Sequence, residues 1–126
     1  MPILKVRALK QEDPDKITKA LKKTCLEIAK VYECKPDQVW ATWEEIKAGF
    51  YVEGDIEKEV QPKQTHPPIA ELLCFEGLSP FKIEELLKIA STTLSSELEL
   101  SGNIFMTYHE AKSGRVIAGN GIVRKN

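Results

Sequence analysis

A phrase near the start of this 126-residue chain, Pro2-Ile3-Leu4-Lys5-Val6-Arg7-Ala8, returns 66 positions later as Pro68-Ile69-Ala70-Glu71-Leu72-Leu73-Cys74. Each copy opens a strand-like run and leads into a helical stretch with a proline in its first turn, Pro14 and Pro80, again 66 apart. Further on the spacing becomes 65: Thr42 matches Thr107, Glu45 Glu110, Lys47 Lys112, Gly49 Gly114 and Gly54 Gly119. One residue fewer in the turn after the second helix accounts for the change. A β-α-β unit written twice constrains the fold tightly. A single-helix crossover within one sheet makes the two strands parallel and the connection right-handed.

The local patterns agree with that plan. Alternation over about Pro2 to Leu9 puts Leu4, Val6 and Ala8 on one face and Ile3, Lys5, Arg7 and Leu9 on the other. Asp13 is placed to cap the first helix, with Pro14 at the first helical position, where a missing N–H costs nothing. Ile17, Ala20, Leu21, Thr24, Ile28 and Val31 form its apolar stripe, and the turn Cys34-Lys35-Pro36-Asp37 ends it. From near Gln38, the residues Val39, Ala41 and Trp43 alternate with Trp40, Thr42 and Glu44. The second half repeats this: a strand over about Pro68 to Phe75, Ser79 capping a helix opened by Pro80, and a strand over about Asn103 to Glu110. The helix carries Ile83, Leu86, Leu87, Ala90, Leu94 and Leu98 as its stripe, and Trp43 and Tyr108 read as core.

Residues 1–126 therefore read as a single domain, with repeat 1 over about 1–54, a polar connection over about 55–66, and repeat 2 over about 67–126. The expected fold is α/β in the α+β sense: two fused β-α-β repeats forming a four-stranded mixed sheet with both helices on one face. A ferredoxin-like sandwich shares the element order but not the strand order.

The face away from the helices would carry Ile3, Leu9, Trp40, Ile69, Leu73, Phe75 and Phe105 among Lys5, Arg7, Thr42, Glu44, Glu71, Thr107 and His109. That is too much apolar surface to leave in water and too polar for a dry core. It suits an interface between copies in a closed cyclic assembly, expected to be a homotrimer. If the first strands of the two repeats run antiparallel, Lys5 and Glu71 are placed for a cross-strand ion pair.

A net charge of −1 gives no footprint for nucleic acid or an anionic membrane surface. No apolar run is long enough to span a bilayer and no secretory leader opens the chain, so a cytoplasmic protein is expected. Cys25, Cys34 and Cys74 lack disulfide or metal spacing, and His66 and His109 are scattered, so reduced thiols, no metal and no cofactor are expected.

Several short motifs together resemble the tautomerase superfamily, the family of 4-oxalocrotonate tautomerase and macrophage migration inhibitory factor. They are Met1-Pro2-Ile3, the sixty-odd-residue β-α-β repeat, Glu45-Ile46-Lys47-Ala48-Gly49 followed by Phe50-Tyr51, and the turn Lys35-Pro36-Asp37-Gln38. The resemblance implies that Met1 is removed and that the Pro2 nitrogen acts as a general base on a small keto or enol carboxylic acid. A free α-amino group titrates at about 7.7–8.0, and burial near cations lowers that value toward working pH. Pro68 is locked in an amide, so each chain would hold one working site and one relic, with the pocket shared between subunits of a homotrimer.

By the same resemblance, Lys35 would hold the substrate carboxylate, Tyr51 and Phe105 would exclude water, and Thr107 would donate to the enol oxygen. Read from the residues alone, Lys35 is a solvated turn lysine and Arg7 an interface ion-pair member. This chain departs from its relatives at Leu78 and Trp40, where they carry arginines, and at Phe105, where they carry a tyrosine. Two functions follow: a cofactor-independent tautomerase working through Pro2, or a non-catalytic trimer of the same fold that binds a ligand or partner.

Overall fold

The computed structural model describes residues 1–125. In the first half, strand β1 (Ile3–Ala8) leads into helix α1 (Asp15–Tyr32), a 3-10 turn over Pro36–Gln38, and strand β2 (Trp40–Glu45). A small hairpin follows, β3 (Val52–Glu53) with β4 (Ile56–Glu57). The second half runs β5 (Ile69–Phe75), α2 (Pro80–Glu97), β6 (Phe105–Ala111) and a second hairpin, β7 (Ile117–Ala118) with β8 (Ile122–Val123).

The main sheet has the order β2-β1-β5-β6. β1 pairs with β2 and β5 with β6 in parallel, while β1 and β5 meet antiparallel at the centre. This is the four-stranded mixed sheet expected from the repeat, and its order excludes the ferredoxin-like alternative. The duplication holds down to single hydrogen bonds. Trp40 N–H donates to the Pro2 carbonyl at 3.0 Å, and Phe105 N–H donates to the Pro68 carbonyl at 3.2 Å.

Both helix starts are built as their sequences suggest. Asp13 Oδ1 accepts from Asp15 N–H at 3.1 Å while Pro14 already has helical backbone angles. Ser79 Oγ accepts from Lys82 N–H at 3.2 Å, with Pro80 at the first helical position. α1 ends at Glu33, whose left-handed backbone lets Cys34 N–H reach back to the Ala29 carbonyl at 3.1 Å. The helices lie antiparallel. Lys82 Nζ in the first turn of α2 donates to the Val31 carbonyl at the end of α1, and Lys16 in the first turn of α1 pairs with Glu99 just past α2.

Between helices and sheet lies the core of Leu4, Val6, Ala20, Ile28, Ala70, Leu72, Cys74, Leu86, Ala90 and Leu94, with Trp43, Met106 and Tyr108 packed against it. At the centre Leu4 stands opposite Leu72 and Val6 opposite Ala70, so the pseudo-twofold exchanges a large pair for a smaller one. Two expectations are corrected. Leu9 is fully buried rather than on the open face, because β1 ends at Ala8 and the strict alternation stops there. Lys5 is in register with Glu71, but the Glu71 carboxylate lies 3.8 Å from His109 Nε2 and makes no ion pair with Lys5.

The sheet face away from the helices is open in the single chain. Trp40 is 51% exposed, Phe105 54% and Ile69 38%. No helix among the described residues is long and apolar enough to cross a membrane.

Candidate functional site

Pro2 is fully buried just before β1, and Met1, which precedes it, is partly exposed. The Met1 amine donates to Tyr32 Oη at 3.4 Å. A cavity of about 230 Å³ opens at this end of the sheet, lined by Met1, Tyr32, Cys34, Gln38, Phe75, Ala118 and Arg124. Burial holds the Met1 amine below its ordinary value, and the nearby Arg124 charge pushes in the same direction. Burial also raises the Tyr32 phenol and the Cys34 thiol, so both stay protonated at neutral pH. The site thus pairs an amine held below its ordinary value with hydroxyl and thiol groups, an aromatic wall and one guanidinium.

Each wall has a local cause. Tyr32 is the last residue of α1, and the left-handed Glu33 turns the chain so that Cys34 and Gln38 come back past the strand start. Gln38 is fixed by the 3-10 turn, where its Oε1 accepts from Lys35 N–H at 3.1 Å. Arg124 follows β8, and its backbone bonds both ways across the turn: Gly114 N–H to the Arg124 carbonyl and Arg124 N–H to the Val116 carbonyl, both 2.7 Å. Its guanidinium lies 3.7 Å from the centre of the Phe75 ring.

The four residues expected to bind substrate are not gathered around Pro2 within one chain. Lys35 is exposed, between Cys34 and Gln38, which line the cavity. Tyr51 donates to Glu53 Oε2 at 2.8 Å inside the first hairpin, and burial, then Glu53, push its phenol up to about 12. Glu53 also takes Lys58 Nζ at 2.7 Å.

Phe105 is in register with Ile69, and Ile69 with Arg7. That places Phe105 about 17 Å along the sheet from Pro2, at roughly 3.3 Å per residue, and two strands across. Its ring meets His66 edge-on at 6.2 Å. Thr107 Oγ1 lies 2.8 Å from His109 Nε2, which with Glu71 forms a polar cluster on the open face. Phe105 and Thr107 can therefore meet a Pro2 site only from a neighbouring copy.

Tyr32, Cys34, Gln38, Phe75, Ala118 and Arg124 are cavity residues that sequence reasoning missed. Arg7 lies 3.6 Å from Glu44 across β1 and β2, both exposed. Among the described residues no group of three or more His, Cys, Asp or Glu side chains is placed to hold a metal ion.

The repeat also explains the opposite end of the sheet. Positions equivalent to Met1, Tyr32 and Cys34 are held there by Pro67, Leu98 and Leu100. The connection folds into that end. Gln61 Nε2 donates to the Pro67 carbonyl at 2.5 Å, and Gln11 Nε2 donates to Gln61 Oε1 at 3.1 Å. What remains is a cleft bordered by Gln11, Gln61, Leu98 and Leu100 together with the Lys16–Glu99 pair.

No known family profile matches the sequence, and no curated protein sequence matches it. Solved structures do resemble it. The F6 fused 4-OT wild-type asymmetric trimer matches with a TM-score of 0.84 at 11% identity, over 96% of this chain and 94% of that one. Pt0534 inactivated by 2-oxo-3-pentynoate gives 0.79 at 12% identity, over 96% and 94%. FG41 malonate semialdehyde decarboxylase inhibited by 3-bromopropiolate gives 0.69 at 10% identity, over 95% and 91%. At such identities the likeness is one of fold.

Proposed function

We propose that this chain, which has the tautomerase-superfamily fold, is a cofactor-independent tautomerase of small keto or enol carboxylic acids, with Pro2 as its base once Met1 is removed. The observation that carries the reading is the placement of Met1. It precedes a buried proline and lines a cavity, and burial holds its own amine below the ordinary value. Taking Met1 away would leave the Pro2 nitrogen as the free amine, facing an enlarged cavity. The step then balances without any other reagent. The amine takes the enol O–H proton as the carbonyl forms, and a proton returns from the ammonium to carbon.

The assembly in this reading is a cytoplasmic homotrimer. The open sheet face of one copy brings Phe105 and Thr107 toward the Pro2 end of the next, and Lys35 flanks the entrance. Apolar exposure at Trp40, Phe105 and Ile69 supports this, as does the trimer named for a structural neighbour. That chain is a distant relative in sequence, so the interface is argued from this chain's own surface.

A non-catalytic, ligand-binding trimer is the second reading. It is favoured by Leu78 and Trp40 at positions where relatives carry arginines, and by the engagement of Tyr51 with Glu53. Ketonisation of phenylenolpyruvate decides between them. The Met1-free protein should outpace both Pro2→Ala and a form that retains Met1, and an intact mass should show one adduct of 2-oxo-3-pentynoate per chain, lost in Pro2→Ala. Equal rates in all three forms would leave the binding protein standing.

A further inference from the structure

The two ends of the pseudo-symmetric sheet differ at one pair of cations. In the first hairpin Val52 pairs with Glu57, and in the second Ile117 pairs with Val123. The residue after each of those pairs is Lys58 in one half and Arg124 in the other, so the two cations occupy equivalent places.

Lys58 is neutralised from inside its hairpin: Nζ lies 2.7 Å from Glu53 Oε1 and donates to Thr65 Oγ1 at 3.1 Å. The position of Glu53 is taken by Ala118 in the second hairpin. Arg124 consequently has no carboxylate partner among the described residues. It is stacked on Phe75 instead, lining the cavity beside Met1 and Tyr32.

A guanidinium centred 3.7 Å over an aromatic ring uses its face there and leaves N–H groups free for an acceptor. Their fork matches the two oxygens of a carboxylate. We propose that Arg124 is the carboxylate-binding residue of this cavity, and that its ligand is a small, singly charged carboxylic acid whose apolar part lies against Phe75 and Tyr32. Among the described residues Arg124 is the one cationic side chain in the lining, which gives a side-chain partner for one carboxylate. The enlarged cavity after loss of Met1 places that carboxylate and the Pro2 nitrogen in one chamber. The substrate class rests on the reading of Pro2 as base, whereas the binding step needs no proton transfer.

The test is calorimetric binding of 3-phenylpropionate to the Met1-free protein, with 3-phenylpropan-1-ol as the uncharged counterpart. The parent should prefer the acid. Arg124→Ala should lose about tenfold or more of the acid's affinity and keep that of the alcohol, while Arg124→Lys should recover part of the loss. Arg124 is exposed, so neither change threatens folding. Arg115→Ala removes the same charge from an exposed position in the turn before β7 and should bind the acid as the parent does.

The proposal is overturned if the parent shows no preference for the acid, if Arg124→Ala binds it unchanged, or if Arg115→Ala loses as much. A protein that binds the acid through Arg124 yet fails to ketonise phenylenolpyruvate would refute Pro2 as base and leave the Arg124 assignment in place.

Discussion

Replacing Trp40 by aspartate should dissociate the assembly while leaving each chain folded. Trp40 is 51% exposed on an edge strand of the open face, so half of a side chain that buries at most about 250 Å² is available to a partner. At about 25 cal/mol per Å², covering that roughly 125 Å² stabilises each contact by about 3 kcal/mol before the costs of association. A loss of about 3 kcal/mol per contact is over a hundredfold in affinity, and a carboxylate set against an apolar partner adds a desolvation cost.

Sedimentation velocity reads the mass of parent and Trp40→Asp directly. Emission supplies a second readout, because the chain has two tryptophans and Trp43 packs against the core of its own chain in either state. Dilution of the parent should therefore red-shift Trp40 alone, and Trp40→Asp should show no dilution dependence. Parent protein that sediments as a cooperatively folding monomer at every concentration would refute the argument. So would a variant that remains trimeric.

Three further outcomes follow from the interior and the helix ends. Leu72→Ala, at a fully buried position in a central strand, should cost about 3 kcal/mol in urea unfolding, and a loss under about 1 kcal/mol would mean the site collapses freely. Ser79→Ala should cost about 1 kcal/mol by leaving Lys82 N–H without its cap, with Ser79→Asp restoring it; equal stabilities would deny the cap any weight. The Met1 amine is lowered from 8.0 in the folded chain, so the unfolded chain binds more protons between the folded value and 8.0. Stability of the Met1-bearing form should rise with pH through that window and level off above it, and N-terminal acetylation should remove the slope. A slope that survives acetylation would assign the titration elsewhere.

The fold was legible because its signal is periodic and written twice. Pro14 with Pro80 and Ile3 with Ile69 mark equivalent points that any packing must respect, and the two-residue alternation then fixes which face meets the helices. Leu9 escaped that logic because alternation predicts orientation only while a strand continues, and β1 stops one residue earlier.

The cavity was less legible because its walls come from five separated segments: the start of the chain, the end of α1, the 3-10 turn, the end of β5 and the second hairpin. Residues such as Tyr32 and Phe75 carry no pattern that separates a cavity wall from core. Arg124 left no such trace. Extending the match of Gly54 with Gly119 sets it opposite Glu59, and only the hairpin pairing, with one more residue in the second turn, sets it opposite Lys58 and shows that Glu53 answers one cation while Ala118 leaves the other unanswered.

Met1 and Arg124 border the same cavity, so the two ends of the described chain meet, and the molecule is topologically close to a ring opened at one point. Where that ring is opened decides which proline can carry a free amine. A circular permutant that joins the present ends through a short linker and begins with Met-Pro68 would keep the same sheet and core, since the connection lies outside the main sheet. It would bury Pro2 in an amide and unmask Pro68 at the end bordered by Leu98 and Leu100, where Lys58 is already claimed by Glu53. The position of a chain break, with every side chain of the core unchanged, would then act as the selector between two unlike chambers.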